Sequence, residues 1–258
     1  MNGDSDLRRP LGGSIVSDIV TWDGHRWFRK FCAAWPELLG YRLARDWANV
    51  ATVIDPGEVV GATFLNGKAL EPAVRGASVL VRLADSYSPP DLVVASLDEA
   101  MARELAFSLW IRRRDAHPWN RGYVDGVPIF FDHHIAFGVE AENTTVEGFF
   151  RRGGDGGYAG RWRVMQLPQD VVPTTRTERD YSGLQWAVHR VQSVEAFEHY
   201  LDIAVEEIMA IRRPQLDTEA QLAAADRPEA VVDFLESSRV EVPAAIARLR
   251  QTVYEPLS

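Results

Sequence analysis

The chain has 258 residues, 46% of them hydrophobic and 25% charged, which is enough for one large domain or two lobes with a sizeable core. Its net charge of −9 argues against nucleic acid as the main partner, because neutralising phosphates needs a basic face. The single cysteine, Cys32, excludes an internal disulfide, and no apolar run resembles a signal peptide or reaches bilayer-spanning length, so we expect a cytoplasmic protein without integral membrane association.

The first part of the chain is predicted to be mainly β-structure with one helix. "SIVSDIVTWDGHRWFRKF" predicts two strands joined at "WDG", because Ile- and Val-rich residues and then alternating aromatic residues flank a turn sequence. "PELLGYRLARDWA" predicts a helix with Pro36 in its first turn. "VATVI", "EVVGATFL" and "SVLVRLA" predict further strands.

The character of the sequence changes after a breaker cluster at residues 88–91. Ser96 and Glu99 form a possible capping box for a helix that reaches about Arg114, with an apolar residue every four positions from Leu97. "GYVDGVPIFFDHH" predicts a hairpin, and a glycine- and arginine-rich loop follows at residues 148–164. Helices are predicted at about 182–213 and 217–252.

This order predicts an α+β protein with two lobes. A small β-rich lobe would occupy residues 1–87, and a larger, mainly helical lobe with one β-hairpin would occupy residues 88–258.

Lysine is rare in this chain. Of the 28 basic residues, 26 are arginine and only Lys30 and Lys68 are lysine. A coding bias toward arginine explains the ratio, yet a lysine kept inside an aromatic strand indicates a place where a compact point charge is needed. Lys30 is therefore either a functional lysine or a solvated strand residue, and Lys68 is predicted to be an exposed turn lysine.

Acids, amides and histidines are concentrated in "DAHPWNRGYVDGVPIFFDHHIAFG", residues 115–138. Asp115 and Asn120 are five residues apart in a predicted loop after the long helix, and Asp132 ends the aromatic strand "IFF" 12 residues later. Phosphoryl transfer from ATP uses these groups: an Asp near the acceptor hydroxyl, an Asn and a second Asp on magnesium, and a strand lysine steadied by a helix Glu. Lys30 and Glu37 supply the last two types upstream.

The segments "DAHPWN" and "FFDHHIAFG" resemble the catalytic and metal loops of the phosphatidylinositol-kinase-like superfamily, including the HipA-type kinases. "HRWFRKF" followed by "ELLGYRLARDWA" is similar to the lysine strand and next helix of that family. The sequence departs from the pattern at Ala116, where arginine is usual, and at His134, where glycine is common. The resemblance covers about residues 10–140 and implies a two-lobed, protein-kinase-like fold that binds ATP and Mg²⁺.

The resemblance also implies residue roles. Asp115 would accept or orient the hydroxyl proton, His117 would brace the catalytic loop, and Asn120 and Asp132 would bind magnesium. Lys30 would grip the phosphates with Glu37 as its partner, although Glu37 is equally explained as a carboxylate favoured by a helix dipole. Nucleotide contacts would also come from residues of the glycine loop and the "SVLVRLA" strand: Gly12, Gly13, Ser14, Val81 and Leu83.

The expected function is a kinase that transfers the γ-phosphoryl group to a hydroxyl, with protein Ser or Thr as the first choice of acceptor. A small-molecule or natural-product acceptor, transfer of the nucleotide monophosphate, and a non-catalytic nucleotide- or partner-binding module remain open. A zinc site built on His117, His133 and His134 is a weaker alternative, because adjacent strand residues point to opposite faces. The arginines at 112–114 and 121 either complement a helix dipole or attract an anionic substrate.

Overall fold

A computed structural model describes residues 17–30, 32–58, 64–65, 68–69, 78–85, 97–113, 120–124, 127–131, 133, 136–137, 162–166 and 187–252. These residues form a mixed α+β structure with small sheets and five α-helices. The strands are β1 (Ser17–Trp22), β2 (His25–Lys30), β3 (Val53–Ile54), β4 (Phe64–Leu65), β5 (Lys68–Ala69), β6 (Val79–Arg82), β7 (Arg121–Val124), β8 (Val127–Phe130), β9 (Trp162–Gln166) and β10 (Ala187–Val191). The helices are α1 (Trp35–Ala44), α2 (Leu97–Ile111), α3 (Val194–Ala210), α4 (Arg213–Leu222) and α5 (Pro228–Thr252).

The N-terminal strands form an antiparallel six-stranded sheet in the order β3-β6-β2-β1-β4-β5. The predicted hairpin of β1 and β2 is confirmed, with Ser17 opposite Lys30 and Trp22 opposite His25. Its two turn residues, Asp23 and Gly24, have φ angles of +48° and +72°. Positive φ at both positions is the turn geometry that matches the twist of paired strands, which explains "DG" here.

Helix α1 follows β2 directly and is shorter than predicted. Pro36 occupies its first turn as expected, but the helix ends at Ala44, and the indole of Trp47 caps the end by donating to the carbonyl oxygen of Leu43. The connection to β3 then pairs with the second hairpin: Phe130 donates to Asn49, and Ala51 donates to Phe130, both at 2.9 Å. The β7–β8 hairpin is therefore joined by backbone hydrogen bonds to the chain that leaves α1.

The prediction of one helix over residues 182–213 is wrong at its start. Residues 187–191 form β10, which pairs in parallel with β9, a strand that lies partly within the predicted glycine- and arginine-rich loop. Helix α3 begins only at Val194, where the Ser193 side chain accepts the N–H of Ala196 as an N-cap. The second predicted helix is two helices, α4 and α5.

Helix α2 lies in the middle of the core. It packs against α3, α5, β8 and β10, and its side chains from Leu105 to Ile111 are buried on every side. One cluster of buried side chains includes Leu39 and Val79 as well as Phe107 and Ile246. The predicted lobe boundary at 87/88 falls outside the described residues, so the division into lobes stays a prediction. None of the described helices has the length and apolar character required to cross a bilayer.

Candidate functional site

Lys30 and Glu37 form a buried ion pair. Lys30 is the last residue of β2 and Glu37 lies in the first turn of α1, so the short connection between the two elements brings their side chains together. The Lys30 Nζ lies 2.5 Å from Glu37 Oε1, and the two side chains are 3% and 0% exposed. A lysine at this depth requires a counter-charge, so the solvated-lysine interpretation of Lys30 is wrong.

Glu37 also contacts the segment that contains Asp132. Its second oxygen, Oε2, accepts the backbone N–H of His133 at 2.8 Å, across 96 residues of sequence. One carboxylate therefore connects the strand lysine to the residue that follows Asp132. The helix-dipole interpretation of Glu37 does not account for either contact.

The ring of His133 is packed inside the core beside α1. It lies edge-on to Phe107, with ring centroids 5.6 Å apart, and edge-on to Phe130 at 6.1 Å. On its other side lies Gly40 of α1, where a Cβ atom would be only 2.6 Å from the ring carbon Cδ2. Glycine at this helical position is therefore required by the close approach of the ring, a constraint that the sequence alone does not reveal.

Asn120 lies at the end of the β7–β8 hairpin from which the chain continues toward His133. It precedes β7, is 6% exposed, and its backbone oxygen accepts the N–H of Phe131 at 3.0 Å. This hydrogen bond places Asn120 beside Phe131, which directly follows β8. Two residues later in the chain comes His133, whose N–H donates to Glu37. Two of the predicted site residues, Lys30 and Glu37, are thus in direct contact, and Asn120 is connected to them through the Phe131–His133 segment.

Two arginines and a glutamate hold the base of the hairpin against α2. Glu104 is 0% exposed and accepts from Arg113 at 3.1 Å and from Arg121 at 2.5 Å. The second nitrogen of Arg113 donates to the carbonyl oxygen of Phe131, and its guanidinium lies over the Phe130 ring. Glu104 was not predicted as a site residue, although it directly precedes the mostly apolar segment "LAFSLWI" of the predicted helix, where a buried carboxylate would need a partner such as Arg113 or Arg121.

Arg112 and Arg113 are internal residues, so neither can attract a substrate from solution as an exposed charge. Arg112 directly follows α2 and has a left-handed conformation, φ +55°; its guanidinium donates to the carbonyl oxygen of Leu109 and, at 2.6 Å, to the Glu241 carboxylate. Burial lowers the pKa of Arg112 below its ordinary value, and the charge of Glu241 partly offsets this. Arg114 lies outside the described residues.

The predicted adenine-contacting strand is present as β6. Val81 is buried and pairs with Phe28 on one side and Val53 on the other. Leu83 is half-buried, and its N–H donates to the carbonyl oxygen of Arg26 at 3.0 Å. The N–H of Leu83 is therefore used within the sheet, and adenine recognition by this segment would depend on its other backbone groups.

The remaining predicted site residues lie outside the described residues: Gly12, Gly13, Ser14, Asp115, His117 and Asp132. His134 also lies outside them. Among the residues that the structure does describe, no cluster of three or more His, Cys, Asp or Glu side chains is arranged to hold a metal ion. Lys68, the second lysine, begins strand β5 rather than occupying a turn.

The chain was compared with protein-family models, with curated proteins and with solved structures, and none of the three comparisons found a significant match.

Proposed function

We propose that this protein is an ATP- and magnesium-dependent phosphotransferase that moves the γ-phosphoryl group to a hydroxyl, with a protein Ser or Thr as the first choice of acceptor. The observation that carries the proposal is the buried Lys30–Glu37 pair whose carboxylate also holds the backbone of His133. Protein kinases need a strand lysine paired with a helix glutamate next to a metal-binding Asp. Here the lysine and the glutamate are in contact, the same carboxylate accepts the backbone N–H of His133, and Asp132 directly precedes His133 in the chain.

The donor types at this place suit magnesium. Asn120 offers an amide oxygen and Asp132 a carboxylate, and Mg²⁺ prefers hard oxygen ligands of this kind, usually one or two from the protein together with phosphate oxygens. Bound magnesium would neutralise charge on the β- and γ-phosphates. Asn120, just before the hairpin in the chain, and Asp132, just after it, are the proposed magnesium ligands.

The protein residues have separate tasks in the proposed reaction. Lys30 binds and orients the phosphates as a point charge, and Glu37 pairs with that ammonium and fixes its direction. Asp115 accepts the proton of the acceptor hydroxyl as the oxygen attacks the γ-phosphorus, and the bond to the leaving oxygen of ADP breaks. Val81 and Leu83 border the place for adenine, and Gly12, Gly13 and Ser14 would cover the phosphates. His117 braces the loop.

The acceptor is inferred from charge. The net charge of −9 does not favour an anionic membrane surface, so a protein hydroxyl is the first choice and a small-molecule hydroxyl the second. The proposed two-lobed, kinase-like arrangement, with lobes at 1–87 and 88–258, would place the nucleotide between the sheet and the hairpin.

Calorimetric titration with ATP, with and without magnesium, tests the proposal. Wild-type protein is expected to bind ATP more tightly with magnesium, and Asp132→Ala is expected to abolish that gain. Lys30→Met is expected to weaken binding by about tenfold or more, because a charge-assisted contact to phosphate is removed. Lys68→Met, which changes the only other lysine, is the matched control and should bind as wild type does.

Four results would contradict parts of this proposal. Absence of ATP binding would reject a nucleotide site, and binding that is indifferent to Asp132 would reject the proposed metal ligand. Magnesium-dependent binding without transfer of label from γ-³²P-ATP to water, to the protein itself or to a panel of hydroxyl acceptors would favour the non-catalytic nucleotide-binding module. Labelling from α-³²P-ATP instead would indicate transfer of the nucleotide monophosphate.

A further inference from the structure

Glu104 is the centre of a closed ring of contacts around the base of the β7–β8 hairpin. One of its oxygens binds Arg113, which follows α2, and the other binds Arg121, which begins β7. Arg113 donates to the carbonyl oxygen of Phe131 at 2.5 Å, and the N–H of Phe131 donates to Asn120, the neighbour of Arg121 in the chain. The contacts therefore form a closed loop, from Glu104 through Arg113 to Phe131 on one side of the hairpin, and through Asn120 and Arg121 on the other side back to Glu104.

We propose that Glu104 is a positioning residue for the magnesium ligands of this site; this inference depends on the proposed phosphotransferase function. Asn120 is attached to the ring directly, and Asp132 follows Phe131, whose oxygen and N–H are both engaged in it. In this role Glu104 would touch neither magnesium nor nucleotide. It acts through Arg113 and Arg121, which set the distance between the two sides of the hairpin where the ligands are attached.

The chemistry of this ring of contacts around Glu104 is better suited to positioning the hairpin than to stabilising the fold. Buried ion pairs are often no more stabilising than apolar side chains of the same size, so stability alone does not call for one here. A guanidinium has donors in a fixed planar fork, which makes each contact directional. The fork of Arg113 is further oriented by Phe130, because its guanidinium carbon lies 5.5 Å from the centre of that ring.

Helix α2 offers a matched control on the same element. Asp98 is also a buried carboxylate, but it accepts the backbone N–H groups of Gln192 and Ser193, at the junction of β10 and α3. Asp98→Asn and Glu104→Gln each remove one buried negative charge from α2 with little change of shape. Only Glu104→Gln alters the hairpin that carries Asn120.

The test is a magnesium titration of ATP binding, followed by calorimetry, on the intact wild-type, Glu104→Gln and Asp98→Asn proteins. Glu104→Gln is expected to need about tenfold more magnesium for the same gain in ATP affinity, as is usual when residues behind metal ligands are changed. Its magnesium-free ATP affinity is expected to stay at the wild-type value, because Lys30 and Glu37 are unchanged. Asp98→Asn is expected to keep the wild-type magnesium requirement.

Arg121→Gln replaces Glu104→Gln if the latter does not fold. It breaks one side of the ring while Glu104 keeps its contact with Arg113, and the same shift in magnesium requirement is expected. A wild-type magnesium gain that is unchanged in these variants, or reduced equally by Asp98→Asn, would overturn the positioning role alone. Absence of any magnesium gain in wild-type protein would overturn the proposed function and this inference with it.

Discussion

Glu37 and His133 are joined by a hydrogen bond from the backbone N–H of His133 to Oε2 of Glu37, at 2.8 Å in the protein interior. The other oxygen of Glu37 binds Lys30. Because Glu37 is part of helix α1, the position of that helix sets both the direction of the Lys30 side chain and the position of the His133 backbone. The two halves of the proposed nucleotide site are therefore coupled through one side chain.

The ion pair should be essential to the fold as well as to the site. Replacing Glu37 by Gln removes the carboxylate that is paired with the buried Lys30 ammonium, so we expect the free energy of unfolding to fall by about 3–5 kcal/mol. Urea denaturation measures the loss. Glu219→Gln is the control, because Glu219 is partly exposed where it pairs with Arg42, and its loss should be below about 1 kcal/mol. Equal losses in the two variants would mean that Glu37 is no more important than a surface carboxylate.

Arginine should not replace lysine at position 30, although arginine is used almost everywhere else in the chain. The guanidinium is larger and planar, and the space around Lys30 is 3% exposed, so Lys30→Arg should cost about 1–3 kcal/mol through overpacking. Thermal denaturation is the measurement. Lys68→Arg, at the far edge of the sheet, should leave the melting temperature unchanged. A Lys30→Arg protein as stable as wild type would show that position 30 accepts any cation.

Gly40→Ala should destabilise the protein even though alanine favours helix. The added Cβ would lie 2.6 Å from the His133 ring, so we expect a net loss of about 1–3 kcal/mol in place of the gain of about 1 kcal/mol that helix propensity alone provides. The measurement is chemical denaturation of the single variants and the double variant Gly40→Ala/His133→Ala. The double variant should lose less than the sum of the two single variants, since the clash is absent. Additive losses would contradict the proposed contact.

Asp98→Asn should loosen the start of α3. An amide can replace only one of the two carboxylate oxygens that accept from Gln192 and Ser193, so we expect a loss of about 1–3 kcal/mol. Hydrogen exchange should rise at residues 192–196 in particular. Glu99→Gln, which changes the neighbouring half-buried residue paired with Arg103, should leave exchange in this region unchanged. Faster exchange throughout α2 instead would mean that Asp98 supports the helix and not the junction.

Several local elements were predictable because they depend on neighbouring residues. The β1–β2 hairpin follows from an Ile- and Val-rich run before "DG" and an alternating aromatic run after it, and β7–β8 follows from strand-like runs on both sides of a second "DG". The partnership of Lys30 with Glu37 was also within reach, since a strand lysine and a first-turn glutamate seven residues later are brought close by a short connection. Their role toward ATP stays a proposal.

Two predictions were wrong where an element depends on contacts with a distant part of the chain. Residues 187–191 were predicted as helix, but they pair with β9, and a parallel strand is defined by a partner far along the chain. Helix α2 was predicted to reach about Arg114, but it ends at Ile111, where Arg112 turns to reach Glu241.

By itself, the sequence determined the two hairpins β1–β2 and β7–β8, the presence of α1 and β6, the near absence of lysine, and the polar residues that suggest phosphotransfer chemistry. Only the tertiary structure decided that Glu37 holds His133, that Gly40 accommodates a ring, and that Glu104 joins two arginines. The physical reason is burial. A carboxylate in the interior must find its partners wherever folding brings a donor, and sequence spacing does not record which distant donors become neighbours.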